Sequence, residues 1–263
     1  MNCDPTNSAV IDEAGFTEDA FLGGRLRLRQ PRGGHRAGHD AVLLAAATAA
    51  RPGDRVVDFG AGVGAAGLAL ARRVAGVDLK LVEIDPQLAR LARDNAAANG
   101  IKAEIVTLDV TSSANAFAAA GLVPDSADVV LMNPPFHDAG RHRASPEAAK
   151  ALAHVAGPAT LESWILAARR VLKSGSALTL IWRADGLADV LAALAHGFGS
   201  VQILPVHGEA AKPAIRVLVR TVKGGRAPSR LYRSLVLNNE STLPKMQLDD
   251  VMAGMALLPL AAP

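Results

Sequence analysis

The run Asn133-Pro134-Pro135-Phe136 holds the residue types with the most specific chemistry in this chain. A side-chain amide oxygen followed at once by a peptide carbonyl places two acceptors close together. Such a pair can hold the N–H groups of a conjugated amine and turn its lone pair toward an electrophile. That orientation matters because delocalisation makes the nitrogen a poor nucleophile. Consecutive prolines fix the backbone and carry no N–H that competes for those acceptors. Phe136 offers a flat face on which a planar base stacks. Asn133, Pro134, Pro135 and Phe136 are therefore the candidate catalytic residues, and Phe136 and His137 the candidate contacts to the reacting base. His137 is not required as a base, since the alkylated ammonium is a strong acid that gives its proton to solvent.

A second constellation supplies the electrophile's seat. In Asp58-Phe59-Gly60-Ala61-Gly62-Val63-Gly64 a glycine-rich turn leaves an apolar run, which lets backbone approach a ligand and aims the following helix N-terminus at it. About twenty residues on, Glu83 closes the next apolar run, where a carboxylate accepts ribose hydroxyls. Asp109 closes the one after that, where an acid meets an adenine amino group. The candidate cofactor contacts are Asp40, Asp58, Gly60, Ala61, Gly62, Gly64, Glu83, Ile84, Asp109, Val110 and Asn133. Gly60-x-Gly62-x-x-Ala65 also satisfies the dinucleotide fingerprint, so the turn alone leaves a nicotinamide enzyme open. Asn133–Phe136 argues against that, and no Tyr-x-x-x-Lys set is evident.

These residues need an alternating α/β framework to meet. Strands are expected at 55–59, 79–83, 103–108, 128–132 and 177–182, with helices at 41–50, 65–74, 86–99, 161–172 and 186–195 between them. Pro86 after Asp85 reads as a helix start, and Asn99-Gly100 as a stop. Late strands at 201–205 and 215–222, joined only by a loop, predict an antiparallel hairpin at one sheet edge. Phe21 to Gln30 alternates Leu with Arg and reads as a short strand or hairpin arm. The expected fold class is α/β and Rossmann-like: a mostly parallel seven-stranded sheet, helices on both faces and that edge hairpin. Expected boundaries are a lead-in with a basic hairpin over 1–38, the main domain over 39–225 and a basic, apolar tail over 226–263.

Charge is distributed unevenly. Arg25, Arg27, Arg29, Arg32 and Arg36 fall in one stretch without an acid, and Lys212, Arg216, Arg220, Lys223, Arg226, Arg230 and Arg233 in another. Both read as footprints for a phosphate backbone, with Arg25, Arg27, Arg36, Lys212 and Arg216 the chosen substrate contacts. The lone cysteine, Cys3, excludes an internal disulfide and a cysteine-rich zinc site. No histidine and acid spacing suggests a metal. No apolar run approaches a membrane span, and the first residues lack a basic signal region. A cytoplasmic protein without membrane contact is expected.

The ordered set Gly60–Gly64, Glu83, Asp109 and Asn133–Phe136 resembles class I S-adenosylmethionine-dependent N-methyltransferases carrying an Asn-Pro-Pro-aromatic signature. The upstream run Gly34 to Leu44, with Gly34-His35-Arg36-Ala37-Gly38-His39-Asp40, is similar to the bacterial tRNA(Val) adenine-N6 methyltransferase family, as is Ala214–Arg220 followed by Lys223–Pro228. The likeness covers roughly residues 20 to 225. It implies methyl transfer from S-adenosylmethionine to the N6 of an adenine in RNA, most naturally tRNA, with S-adenosylhomocysteine as product. In that family the upstream run helps enclose the cofactor, which implies a role for Asp40 and the 36–40 backbone. One departure is His137-Asp138: an Asn-Pro-Pro-Phe-His run is more typical of ribosomal RNA guanine-N2 methyltransferases. Guanine-N2 methylation and, behind it, glutamine-N5 methylation of a protein stay open.

Overall fold

The computed structural model describes residues 15–33, 36–135, 158–238 and 245–261. It opens with a hairpin of β1 (Phe16–Phe21) and β2 (Leu26–Pro31), paired antiparallel from Phe16↔Pro31 to Phe21↔Leu26. The sequence reading ran one arm across Phe21–Gln30. The chain instead reverses there through Leu22, Gly23 and Gly24, all at positive φ. In β2 the leucines of the Leu/Arg alternation are buried and Arg27 is exposed.

The main body alternates strictly. It runs α1 (His39–Ala47), β3 (Arg55–Phe59), α2 (Ala65–Arg73), β4 (Asp78–Glu83), α3 (Pro86–Ala98), β5 (Ala103–Thr107), α4 (Ala114–Ala119) and β6 (Ala127–Met132). After α5 (Pro158–Val171) come β7 (Leu172–Arg183), α6 (Leu187–Leu194), β8 (Phe198–His207) and β9 (Arg216–Lys223). The chain ends with β10 (Arg230–Leu231), β11 (Leu235–Val236) and α7 (Lys245–Met252). Local chemistry accounts for the start of α3: Pro86 sits in its first turn and the Asp85 carboxylate accepts from the Gln87 N–H at 2.7 Å. The middle strands read as unbroken Val/Leu runs because helices cover both their faces.

Strand order is β10-β8-β9-β7-β6-β3-β4-β5, with β11 also paired to β8. Strands β7, β6, β3, β4 and β5 pair in parallel, whereas β9 is antiparallel to both β7 and β8. The late hairpin is thus present. The strand count differs from expectation: the sheet has nine strands, not seven. The additions, β10 and β11, are two residues each and pair in parallel with β8. Two residues carry no periodicity, so a run of backbone pairing supplied by a neighbour leaves no trace in sequence. One apolar cluster joins the β1–β2 hairpin, α1, α2, α3 and the C-terminal residues Val251, Leu258 and Leu260 on one face of the sheet; the other joins Phe117 of α4, Trp164 and Ile165 of α5 and Val190 and Leu194 of α6 on the opposite face.

Candidate active site

In a parallel sheet the carboxyl ends of adjacent strands make one ridge, and β6, β3, β4 and β5 are adjacent in that order. Asn133 follows β6, Gly60 follows β3, Glu83 ends β4 and Asp109 stands just beyond β5. Residues separated by up to 73 positions in the chain are thereby brought to one edge, which is what the spacing required.

The glycines of the turn do two different jobs. Gly60 has φ +67°, and a Cβ there would lie 2.5 Å from Cη2 of Trp164 on α5, so its lack of a side chain serves packing. Gly62, at φ +57°, would meet nothing within 4 Å: it is the glycine that borders open space, where a ligand can lie against bare backbone. Glu83 is buried, and its carboxylate accepts from the Gly62 N–H at 2.7 Å and the Asp85 N–H at 2.9 Å. A carboxylate has about four acceptor positions, so both oxygens keep capacity for ribose hydroxyls while the backbone holds them still. Ile84 beside it is 61% exposed on the rim, whereas Val110 is buried in the core. Asp109 accepts from the Thr111 N–H at 2.7 Å and the Thr111 hydroxyl at 2.8 Å through Oδ1, and none of these bonds uses Oδ2.

Asp58 lies beneath the turn, fully buried, and accepts from the Gly67 N–H at 2.8 Å. Burial pushes its carboxyl up to about 7; the Gly67 N–H opposes that and the nearby negative charge of Glu83 adds to it. Asp58 therefore organises the first turn of α2 from below.

Asn133 behaves differently from all of these. Its Oδ1 is buried and has no hydrogen-bond partner among the described residues. Pro134 is buried and Pro135 exposed. Phe136 and His137 lie outside the described residues.

Asn95 of α3 was missed by sequence reasoning. It is 1% exposed, accepts from the Arg29 N–H at 2.8 Å, and donates to the Arg29 carbonyl at 3.1 Å and to the Val63 carbonyl at 3.0 Å. One side chain thus ties the β1–β2 hairpin to the glycine-rich turn. Asn99, one helical turn later, makes the matching pair to Arg27, accepting at 3.0 Å and donating at 2.7 Å. An asparagine at an apolar position inside an amphipathic helix was the available signal, because asparagine is unfavourable there unless its side chain bonds elsewhere.

Each basic residue chosen as a substrate contact has a partner within the protein. Arg25 donates to the Gly254 carbonyl at 2.8 Å, Arg27 meets Glu18 at 3.3 Å and Arg36 meets Asp19 at 2.6 Å. Lys212 pairs with Glu209 at 2.7 Å, and Arg216 with Asp40 at 3.0 Å. Asp40, a candidate cofactor contact, and Arg216, a candidate substrate contact, are therefore each other's partners. Asp19 also accepts from Thr17 and Gln30, and Gln30 accepts from the Ala37 N–H at 2.7 Å, which anchors the segment leading into α1. Among the described residues no group of three His, Cys, Asp or Glu is placed to hold a metal, and no helix is long and apolar enough to cross a membrane.

Residues 38–209 match the family model of the methyltransferase small domain. The tRNA1(Val) (adenine(37)-N6)-methyltransferase of Porphyromonas gingivalis is 30% identical over 186 residues, covering 65% of this chain and 68% of the relative. The ribosomal RNA small subunit methyltransferase C of Stutzerimonas stutzeri is 35% identical over 86 residues, 33% of this chain, and the match spans only 23% of that longer relative. A crystal structure of an Agrobacterium tumefaciens protein described as a predicted O-methyltransferase superposes with TM-score 0.65 at 32% identity, over 83% of this chain and 98% of that one. The Thermus thermophilus 16S rRNA N2 G1207 methyltransferase, solved with AdoMet and guanosine, shares the fold at TM-score 0.55 and 21% identity, over 79% of this chain and 50% of that one.

Proposed function

The chain belongs to the methyltransferase small domain family, S-adenosylmethionine-dependent methyltransferases, and on that premise we propose that it methylates the exocyclic N6 amino group of an adenine in RNA, a tRNA above all. The observation that carries this reading is the buried Oδ1 of Asn133 at the end of β6, which meets no donor among the described residues and lies next to the strand that leads into the open side of Gly62. A buried acceptor left unbonded costs about 1–3 kcal/mol. An incoming N–H donor repays that cost, and an amino group carries such donors.

Bound S-adenosylmethionine supplies an electrophilic methyl group and leaves as S-adenosylhomocysteine. Around it, Gly62 presents bare backbone, Glu83 receives the ribose hydroxyls and Asp109 the adenine amino group, with Ile84 flanking the ring. Asn133 Oδ1 and the Pro134 carbonyl accept the two N–H bonds of the target amine and so aim its lone pair. Phe136 is assigned the stacking role and His137 a substrate contact. Rate enhancement then comes mainly from holding donor and acceptor at near-attack distance, with solvent taking the released proton.

Relatives named for N6 methylation of tRNA adenine and for ribosomal RNA methylation both align here. Adenine is favoured because the tRNA relative is matched over about two thirds of its own length, 68%, against 23% for the ribosomal one. The test is transfer of isotope-labelled methyl into total RNA, followed by nucleoside mass spectrometry. N6-methyladenosine is the expected product. N2-methylguanosine would replace adenine by guanine in this reading, and label found only in protein would overturn it.

A further inference from the structure

The basic residues of the C-terminal edge meet a different fate from those of the hairpin. After β9 the chain turns back so closely that the Gly225 carbonyl lies where a side chain on Gly199 would be, and the Ala227 N–H bonds the Ser200 hydroxyl at 3.0 Å. It then climbs the outside of β8 through β10 and β11. Backbone bonds hold it, from Tyr232 N–H to the Ile203 carbonyl at 2.8 Å, Leu237 N–H to that of His207 at 2.9 Å and Asn238 N–H to that of Gly208 at 3.0 Å, and the buried Leu235 and Val236 side chains anchor it to the core. Arg226, Arg230 and Arg233 are exposed along this climb, and none of their side chains makes a hydrogen bond or ion pair to another described residue. Leu231 beside them is 73% exposed. No acidic residue occurs between Glu209 and Glu240.

We propose that Arg226, Arg230 and Arg233 form the track that binds the phosphate backbone of the substrate RNA, an inference that rests on the RNA-methylating function proposed above. Three cations whose side chains have no partner among the described residues, on a segment whose position does not depend on them, provide fixed positive charge complementary to a polyanion. Direction and reach agree. Strands β8, β10 and β6 point the same way, so the file rises toward the end of the sheet where Asn133 sits. Four strand spacings separate β10 from β6, roughly 19 Å at about 4.8 Å each, so an RNA whose target base enters beside Asn133 lays neighbouring backbone on the edge. An edge strand also carries charge simply to prevent edge-to-edge pairing. That role needs repulsion between copies of the protein and no RNA.

The deciding experiment uses the full chain with S-adenosylhomocysteine bound, and a substrate RNA that the unaltered protein methylates. Arg226→Ala, Arg230→Ala and Arg233→Ala together should weaken RNA binding roughly tenfold or more and lower the slope of log affinity against log salt by about 2 to 3. S-adenosylhomocysteine affinity should stay unchanged. Lysine at all three positions should restore both binding and slope, because a phosphate contact requires charge. Unaltered RNA affinity and salt slope in the alanine variant would overturn the track, whether or not the variant aggregates. So would a failure of lysine to restore them. If the unaltered protein methylates no RNA at all, the RNA reading itself has failed, and the two failures are told apart at that first step.

Discussion

The two halves of the strand-end ridge treat their polar groups in opposite ways. Above β3 and β4, the Asp58 and Glu83 carboxylates and the Asn95 amide are all bonded to backbone, at 2.7–3.1 Å. At the end of β6, the Asn133 Oδ1 atom is buried too, and it meets no donor among the described residues. The first arrangement builds a rigid seat, since an acceptor held by backbone N–H groups needs no reorganisation when a ligand arrives. In the proposed mechanism the second leaves an acceptor for the incoming amino group. On that proposal, groups that shape the site are satisfied in advance, whereas the group that orients the reacting atom waits and carries a stability penalty.

The largest expected effect breaks the comparison at its open end. Asn133→Ala should lower turnover by about a hundredfold or more, on the scale of losing one positioned hydrogen-bonding group at a transition state. Its S-adenosylhomocysteine affinity should be retained, and its melting temperature should not fall, because the substitution removes an unsatisfied buried group. Near-normal turnover, or marked destabilisation, would place Asn133 with the satisfied framework instead.

Glu83→Ala should show the converse. It strips the Gly62 and Asp85 N–H groups of their acceptor, so stability should drop by about 2–3 kcal/mol and cofactor binding should weaken with it, as read by denaturant titration and calorimetry. Retained cofactor affinity would remove Glu83 from the seat.

Asp58 sharpens the same side through pH. Its carboxyl titrates near 7 in the folded protein, against 3.8 as its ordinary value. Below about pH 4 both folded and unfolded forms are protonated. As the pH rises through 4 to 7 the unfolded chain gives up this proton first, so the folded state progressively loses stability, and the loss levels off above pH 7. Asp58→Asn cannot titrate, and its stability advantage over the parent should grow by about 2 kcal/mol between pH 5 and pH 8. A difference that does not change with pH would show that the buried carboxyl is charged throughout.

The smallest effect separates two neighbours. Asn95→Ala should cost about 1 kcal/mol more than Asn99→Ala, since its site is fully buried and it alone reaches the Val63 carbonyl. Only the Asn95 variant should weaken S-adenosylhomocysteine binding. Equal effects on binding would mean that the hairpin, rather than the glycine-rich turn, transmits the change.

Much of this molecule is legible in its sequence because the relevant physics is short-ranged. The strand at Arg55–Phe59 and the helix opening at Pro86 after Asp85 follow from apolar runs, proline geometry and capping. An α/β alternation then obliges residues at strand ends to share a ridge, which is why Gly60, Glu83, Asp109 and Asn133 fall on one edge of the sheet. The tertiary structure alone decided which polar groups are already spent. Arg36 and Asp19 are 17 residues apart, and Arg216 and Asp40 are 176 apart; no local pattern links either pair. It also decided that Asn95 bridges hairpin and turn, that a segment without periodicity adds two strands, and that Arg226, Arg230 and Arg233 face solvent. Charge pairing and buried hydrogen bonding depend on separation in space, which the chain sets only once it has folded.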